Sequence, residues 1–202
     1  MKLRNIIWCA LVLLAFVSCK EEDDTIVEYE NWQTVNDNYY KKFVEEAKGK
    51  AQISSSWALY SCYTRPETGF DLSYSDYVVV EKLEEGKGTT SPLLTDSIAV
   101  HYVGHLLPSK SYPNGFEFDR SYIGTFDPVV ASPSKLSMVG VVKGFTTALL
   151  HMHRGDYWRI YIPYQLGYDS YSNGTIPSYS TLIFEVRLED YWLQVQGDRD
   201  PV

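Results

Sequence analysis

The sequence is poor in cysteine, methionine, proline and glycine, with 3, 3, 9 and 13 residues respectively among 202. So few cysteines exclude a disulfide-stapled scaffold, and so little glycine and proline exclude a fibrous or low-complexity chain. Basic residues are outnumbered, 18 against 26 acidic, for a net charge of −8. That balance lacks the positive patch on which nucleic-acid binding depends, so no nucleic-acid partner is expected. No segment repeats at a fixed period, and no serine sits in a nucleophile elbow. His101 and His105, like His151 and His153, come only as pairs, short of the three or four ligands a zinc site uses. Neither a metal nor a cofactor is expected. The one long apolar run, residues 6–17, is short for a bilayer span. What is abundant is tyrosine, 17 residues within a 45% hydrophobic composition, enough apolar surface for one domain of moderate size.

Lys2 and Arg4 precede the apolar run, and Ser18 and Cys19 follow it, the order of a secretory signal over residues 1–18. Ala15-Phe16-Val17-Ser18-Cys19 resembles a bacterial lipobox, with Phe16 as a bulky variant. On that resemblance Cys19 becomes the lipidated N-terminus, its acyl chains held in a membrane by about 0.8 kcal/mol per buried CH₂. The other reading is a plain secretory signal in which Cys19 is incidental. Lys20-Glu21-Glu22-Asp23-Asp24 resembles the tag by which some Gram-negative bacteria send lipoproteins to the cell surface. It also reads as a solvated tether over residues 19–31, kept extended by self-repulsion. The expected location is the outer membrane, on the cell surface or the periplasmic face. Removing residues 1–18 leaves 16 basic against 26 acidic side chains, a net of −10. With Cys19 modified, Cys62 has no internal partner and is expected to be a buried thiol.

Beyond the tether, apolar residues at Trp32, Val35, Tyr39, Tyr40, Phe43, Val44 and Ala47 predict an amphipathic helix over 32–48, stopped by Gly49. Its stripe is read as a docking or dimer face, which makes a homodimer through residues 32–48 an expectation. A connector with one short strand, interrupted by Pro66 and Gly69, follows to residue 75. From residue 76 to 192 the pattern is that of a β-rich domain, followed by a tail over 193–202. A strand is predicted over 77–83 from a β-branched apolar run closed by a turn, and others over 97–103, around Phe116 and Phe118, over 157–162 and over 182–189 from period-2 alternation and turn signals. A stripe of Val142, Phe145, Thr146, Leu149 and Leu150 predicts one short helix among them. The fold class is α+β, an antiparallel sheet wrapped around one short α-helix, with an N-terminal helical extension.

Six short motifs stand in one order. They are His101-Tyr102-Val103-Gly104; Gly115-Phe116-Glu117-Phe118-Asp119-Arg120-Ser121; Val141-Val142-Lys143-Gly144-Phe145; Leu149 to Gly155; Ile162-Pro163-Tyr164-Gln165-Leu166-Gly167-Tyr168; and Ile176-Pro177 with Thr181-Leu182-Ile183-Phe184-Glu185-Val186. Together they resemble the FKBP-type peptidyl-prolyl cis-trans isomerases, over about residues 77–190. The resemblance implies isomerisation of proline-containing polypeptides, with Tyr102, Phe118, Asp119 and Tyr168 as catalytic residues. Val141, Val142, Phe145, Ile176 and Phe184 would contact the substrate, the Val142 N–H being offered to a substrate carbonyl. Three departures from the family pattern bear on the pocket, one being Asp169, which replaces the glycine after the pocket tyrosine and adds charge near the rim. Phe145 stands where a tryptophan is usual, and Val129 or Val130 would have to replace an aromatic pair missing from residues 127–138. Two alternatives remain on the sequence alone: a noncatalytic FKBP-like peptide-binding or chaperone module, and a surface glycan-binding lipoprotein suggested by the tyrosine content.

Overall fold

The computed structural model describes residues 27–65 and 71–193. The signal segment, Cys19, the acidic residues after it, Pro66, Gly69 and residues 194–202 lie outside the described residues.

The first element, α1 (Trp32–Ile53), is longer than its predicted span, because it runs through Gly49 and ends only where Ser54 turns extended. A glycine costs a helix about 1 kcal/mol, which the following hydrogen-bonded turn offsets. The buried stripe is Trp32, Asn36, Tyr40, Val44 and Ala47, rotated from the predicted one, so Val35 is exposed. A polar residue holds its centre for a reason. Asn36 Nδ2 donates to the Trp32 carbonyl at 2.7 Å, while its Oδ1 accepts the Thr181 N–H at 2.7 Å. Trp32 Nε1 donates to Ser180 Oγ at 2.8 Å. The Tyr40 hydroxyl shares its proton between the carbonyls of Tyr77 and Tyr161, 3.0 and 2.8 Å away. The stripe is thus a docking face turned toward the chain's own sheet.

Seven strands form that sheet among the described residues: β1 (Trp57–Ser61), β2 (Tyr77–Glu84), β3 (Asp96–His105), β4 (Glu117–Arg120), β5 (Ser134–Ser137), β6 (Tyr157–Ile162) and β7 (Leu182–Leu193). The order is β1-β2-β6-β7-β3-β4, every pairing antiparallel, with β5 beside β3. Two outcomes depart from the sequence pattern. β5 was not anticipated, because Ser-Lys-Leu-Ser offers a single apolar residue. β7 continues past 189, since a bulge opposite Ala99 and Val100 lets it follow β3 to Leu193.

The inner face carries Val78 and Val80 of β2, Ile160 and Ile162 of β6, and Leu182, Val186 and Leu188 of β7. Against it packs the short helix α2 (Lys143–Leu149) through Phe145, Ala148 and Leu149. A side chain at Gly144 would collide with Ile162, so glycine there sets how closely α2 approaches β6. On the outer face, Val79, Trp57, Leu59 and Tyr161 form a second cluster with Tyr40, Val44 and Ala47 of α1. The two helices therefore sandwich one end of the sheet. The rest of the outer face carries an ion ladder: Arg159 lies 2.9 Å from Glu81 and 2.7 Å from Glu185, and Arg187 lies 2.8 Å from Glu84. Cys62 is a buried free thiol beneath this frame.

Candidate functional site

β3 places Tyr102 on the inner face, two residues before Gly104, and β7 places Phe184 opposite that glycine. β4 sets Asp119 on the other side of Gly104. The glycine is required there. A Cβ at 104 would lie 2.5 Å from Phe118 Cζ and 2.8 Å from Phe184 Cε1, so its absence lets both rings lie over β3. From the helix side come Phe145 in the first turn of α2 and, just ahead of it, Val141 and Val142. Val142 is extended, with φ −62° and ψ 147°, and its N–H lies outside the helical ladder. Tyr168 follows the short turn at Tyr164–Leu166.

These elements enclose a hollow of about 410 Å³, lined by Tyr102, Asp119, Leu136, Gly140, Val141, Val142, Phe145, Tyr168 and Phe184. Its floor is aromatic. Phe145 and Phe184 meet edge to face with centroids 5.0 Å apart, and Tyr102 stands 6.1 Å from Phe184 and 6.3 Å from Phe145. Such tilted pairs are the favoured arrangement of ring quadrupoles, so the floor is stiff as well as apolar.

The polar groups gather at one wall. The Tyr102 hydroxyl donates to Asp119 Oδ2 at 2.8 Å. Burial above all, then this bond and the Asp119 charge, raises the Tyr102 phenol well above its ordinary range. Burial, with the Asp119 charge second, also raises the Tyr168 phenol. Both hydroxyls hence keep their protons at neutral pH. That of Tyr102 is committed to Asp119, whereas that of Tyr168 has no hydrogen-bond acceptor among the described residues. Tyr168 is half exposed, so its hydroxyl is the donor left free to meet a ligand carbonyl. The outline is an apolar cup with one carboxylate, one free phenol and one backbone N–H, suited to hold a cyclic apolar group whose flanking carbonyls need orienting.

Of nine residues expected at the site, seven line the hollow. Phe118 stands behind it, its ring edge-on to Phe184 at 5.3 Å. Ile176, expected at the rim, is 3% exposed and belongs to the core. Its N–H is held by Asn173 Oδ1 at 2.7 Å. The wall where an aromatic pair was sought is Leu136 of β5, with the open backbone of Gly140 beside it. Val129 and Val130 do not stand there. Asp127 caps a turn, its Oδ1 accepting the Val129 N–H at 2.9 Å, and the two valines are 88% and 76% exposed. Leu136, Gly140 and Gly104 were missed as site residues. For Gly104 a signal existed, since glycine in an alternating strand marks the close approach of another group.

A protein-family model described as FKBP-type peptidyl-prolyl cis-trans isomerase matches residues 88–189. The chain is 34% identical over 112 residues to the macrophage infectivity potentiator of Trypanosoma cruzi, covering 55% of this chain and 51% of that protein. It is 35% identical over 107 residues to the FKBP-type 22 kDa peptidyl-prolyl cis-trans isomerase of Escherichia coli K12, covering 52% and 46%. The chain thus spans about half the length of the curated relatives it matches. Among solved structures, FkpA from Escherichia coli superposes with a TM-score of 0.57 at 26% identity, over 83% of this chain and 64% of that one. A peptidyl-prolyl isomerase from Pseudomonas syringae shares the fold, with a TM-score of 0.51 at 21% identity, over 76% and 94%.

Proposed function

Because the chain belongs to the FKBP-type peptidyl-prolyl cis-trans isomerase family, whose model accounts for residues 88–189, we propose that it rotates peptidyl-proline bonds in exported or cell-envelope polypeptides and so assists their folding. The observation that carries this reading is the convergence of Tyr102, Asp119, Val142, Phe145, Tyr168 and Phe184 on one apolar hollow. A peptidyl-proline bond resists rotation by about 18–20 kcal/mol, because the twisted form loses amide resonance. Its turnover unaided takes about 10–100 s. An enzyme needs to bind the twisted form more tightly than either planar form. In the proposed mode the proline ring rests on Phe145 and Phe184, which exclude the water that stabilises the planar, more polar imide. Tyr168 and the Val142 N–H hold the flanking carbonyls. Asp119, tied to Tyr102, places negative charge beside the rotating bond, whose carbon gains positive character as conjugation breaks. Each 1.36 kcal/mol of such preference is a factor of ten in rate.

In the same reading the mature chain begins at lipidated Cys19 and is anchored to the outer membrane by its acyl groups, with residues 20–26 as tether. Residues 27–31, expected to extend it, are instead turned and docked, the Ser111 N–H donating to Glu28 Oε1 at 2.8 Å and the Tyr29 ring lying 4.9 Å from Trp32. The lipobox-like sequence and the acidic run support that placement. Self-association through residues 32–48 would use the outward side of α1, since Trp32, Asn36, Tyr40, Val44 and Ala47 face the sheet.

A protease-coupled assay on proline peptides tests the function. Acceleration over the uncatalysed rate that is lost in Phe184→Ala and Asp119→Ala, while both variants stay folded by circular dichroism, supports it. Binding of proline peptides without acceleration would overturn catalysis and leave the noncatalytic module.

A further inference from the structure

The segment over residues 121–133 joins the β4 wall of the hollow, which bears Asp119, to the β5 wall, which bears Leu136. Little of it is held by apolar burial, for Ile123, Val129 and Val130 are 99%, 88% and 76% exposed. Its attachment is elsewhere. Ser121 is paired with Tyr102: the Tyr102 N–H donates to Ser121 Oγ at 2.8 Å and the Ser121 N–H to the Tyr102 carbonyl at 2.9 Å. Five residues on, Phe126 crosses to the outer face of the sheet. There its ring stands edge-on to His101 at 4.9 Å, with Tyr122 5.2 Å away and the Arg187 guanidinium 5.5 Å away. Arg120 adds a 3.0 Å bond to the Gly124 carbonyl.

We propose that Phe126, seated on the His101 ring, is a latch on the outer face that positions the Ser121–Tyr102 pair and hence the tyrosine wall of the hollow. His101 and Tyr102 are neighbours on β3 with opposite directions, so a ring seated on one side fixes the backbone that presents the other. This inference rests on the isomerase reading for its effect on turnover, though not for its effect on structure.

The latch has a built-in sensitivity to acid. His101 is 4% exposed, and its Nδ1 has no partner among the described residues. Nδ1 is thus a buried ring nitrogen that meets no acceptor for a proton of its own. Arg187, its direct partner across the β3–β7 ladder, repels the added charge, while Glu189 on β7 favours it. Glu185 on β7, Tyr157 on β6 and Tyr122 of the loop complete the surroundings, with Arg187 itself stacked on Tyr157 and paired to Glu84. Burial, with Arg187 behind it, outweighs Glu189 and lowers the His101 pKa. The folded chain thus takes up this proton less readily than the unfolded one, so the latch is complete at neutral pH and weakens as the pH falls below the ordinary histidine range.

The test uses the full chain, Phe126→Ala and His101→Phe, which keeps a ring under Phe126 but cannot titrate. Two quantities are measured from pH 7.5 to 5.5: kcat/KM on a proline peptide, and hydrogen exchange at the Tyr102 and Ser121 amides. Phe126→Ala is expected to lower kcat/KM about tenfold at pH 7.5, as small misplacements of a site do, and to speed exchange at both amides. The wild-type chain is expected to lose activity and protection toward pH 5.5, and His101→Phe to flatten both profiles. Equal exchange at the two amides in Phe126→Ala and wild type, or equal pH profiles in His101→Phe and wild type, overturns the latch. A wild-type chain without isomerase activity overturns the functional reading instead, and the exchange measurement still decides the latch.

Discussion

Tyr102 and Asp119 are joined across two adjacent strands by a 2.8 Å hydrogen bond, phenol to carboxylate, at the wall of the hollow. The bond holds the tyrosine ring beside Phe145 and Phe184 and engages one oxygen of a carboxylate that itself lines the hollow.

Removing that carboxylate should release the phenol. In Asp119→Asn the Tyr102 titration is expected to move down toward the ordinary phenol range, because one of the causes that raise it is gone while burial remains. An ultraviolet or NMR pH titration reads the change. Isomerase activity should fall further in Asp119→Asn than in Tyr102→Phe, which keeps the ring. Equal losses would place the effect in the hydrogen bond alone and not in the charge.

Gly104→Ala should disturb the site and the fold together. The new methyl would press on Phe118 and Phe184, and overpacking of this kind costs about 1–3 kcal/mol. The expected result is a lowered thermal midpoint with a loss of proline-peptide turnover. An unshifted midpoint would mean that the two rings move aside freely.

Docking of α1 should depend on Asn36. In Asn36→Ala the buried Thr181 N–H loses its acceptor, at a cost of about 1–3 kcal/mol. Urea unfolding should show a lower midpoint, and protease cleavage within residues 32–53 should come earlier. Asn36→Asp keeps an acceptor for that N–H but buries a charge, so it is expected to be no better.

Stability in acid should depend on Glu185. Burial opposes its ionisation, but hydrogen bonds from Tyr157 and Arg159 and the Arg159 charge prevail and hold the carboxyl below its usual range. The folded chain then binds that proton less readily than the unfolded one. The contribution is present above the ordinary glutamate range and is lost as the pH falls through the lower folded value. Thermal midpoints measured from pH 7 to 3 should fall more steeply in the wild type than in Glu185→Gln, and parallel curves would refute the assignment.

Alternation marked β3, β6 and β7, because strands half covered by a core put apolar residues at every second position, whereas β2 was legible as a β-branched apolar run ended by a turn, its Val78, Val79 and Val80 being buried on both faces of the sheet. Phe145 and Leu149 announced α2 for the same reason at helical spacing. The order of six motifs assigns Tyr102, Asp119, Val141, Val142, Phe145, Tyr168 and Phe184 to one site, and all seven line the hollow. Leu136 escaped because Ser-Lys-Leu-Ser has no period of its own; β5 exists only because β3 offers it a free edge. Ile176 is expected at a rim because the family motif contains it, but its side chain joins the core cluster, and its N–H is held by Asn173 Oδ1.

The residue pattern by itself determined β2, β3, β6, β7 and the two helices as elements, and seven of the side chains the hollow collects, since periodicity and motif order are local properties of the chain; β5 with Leu136, and Gly140, joined them only through the fold. Tertiary structure alone decided that α1 turns its stripe inward, that Gly104 yields its space to two phenylalanine rings, and that Phe126 meets His101 behind the site. Those outcomes depend on which groups arrive at the same point from distant positions, through contacts that no window of neighbouring residues contains.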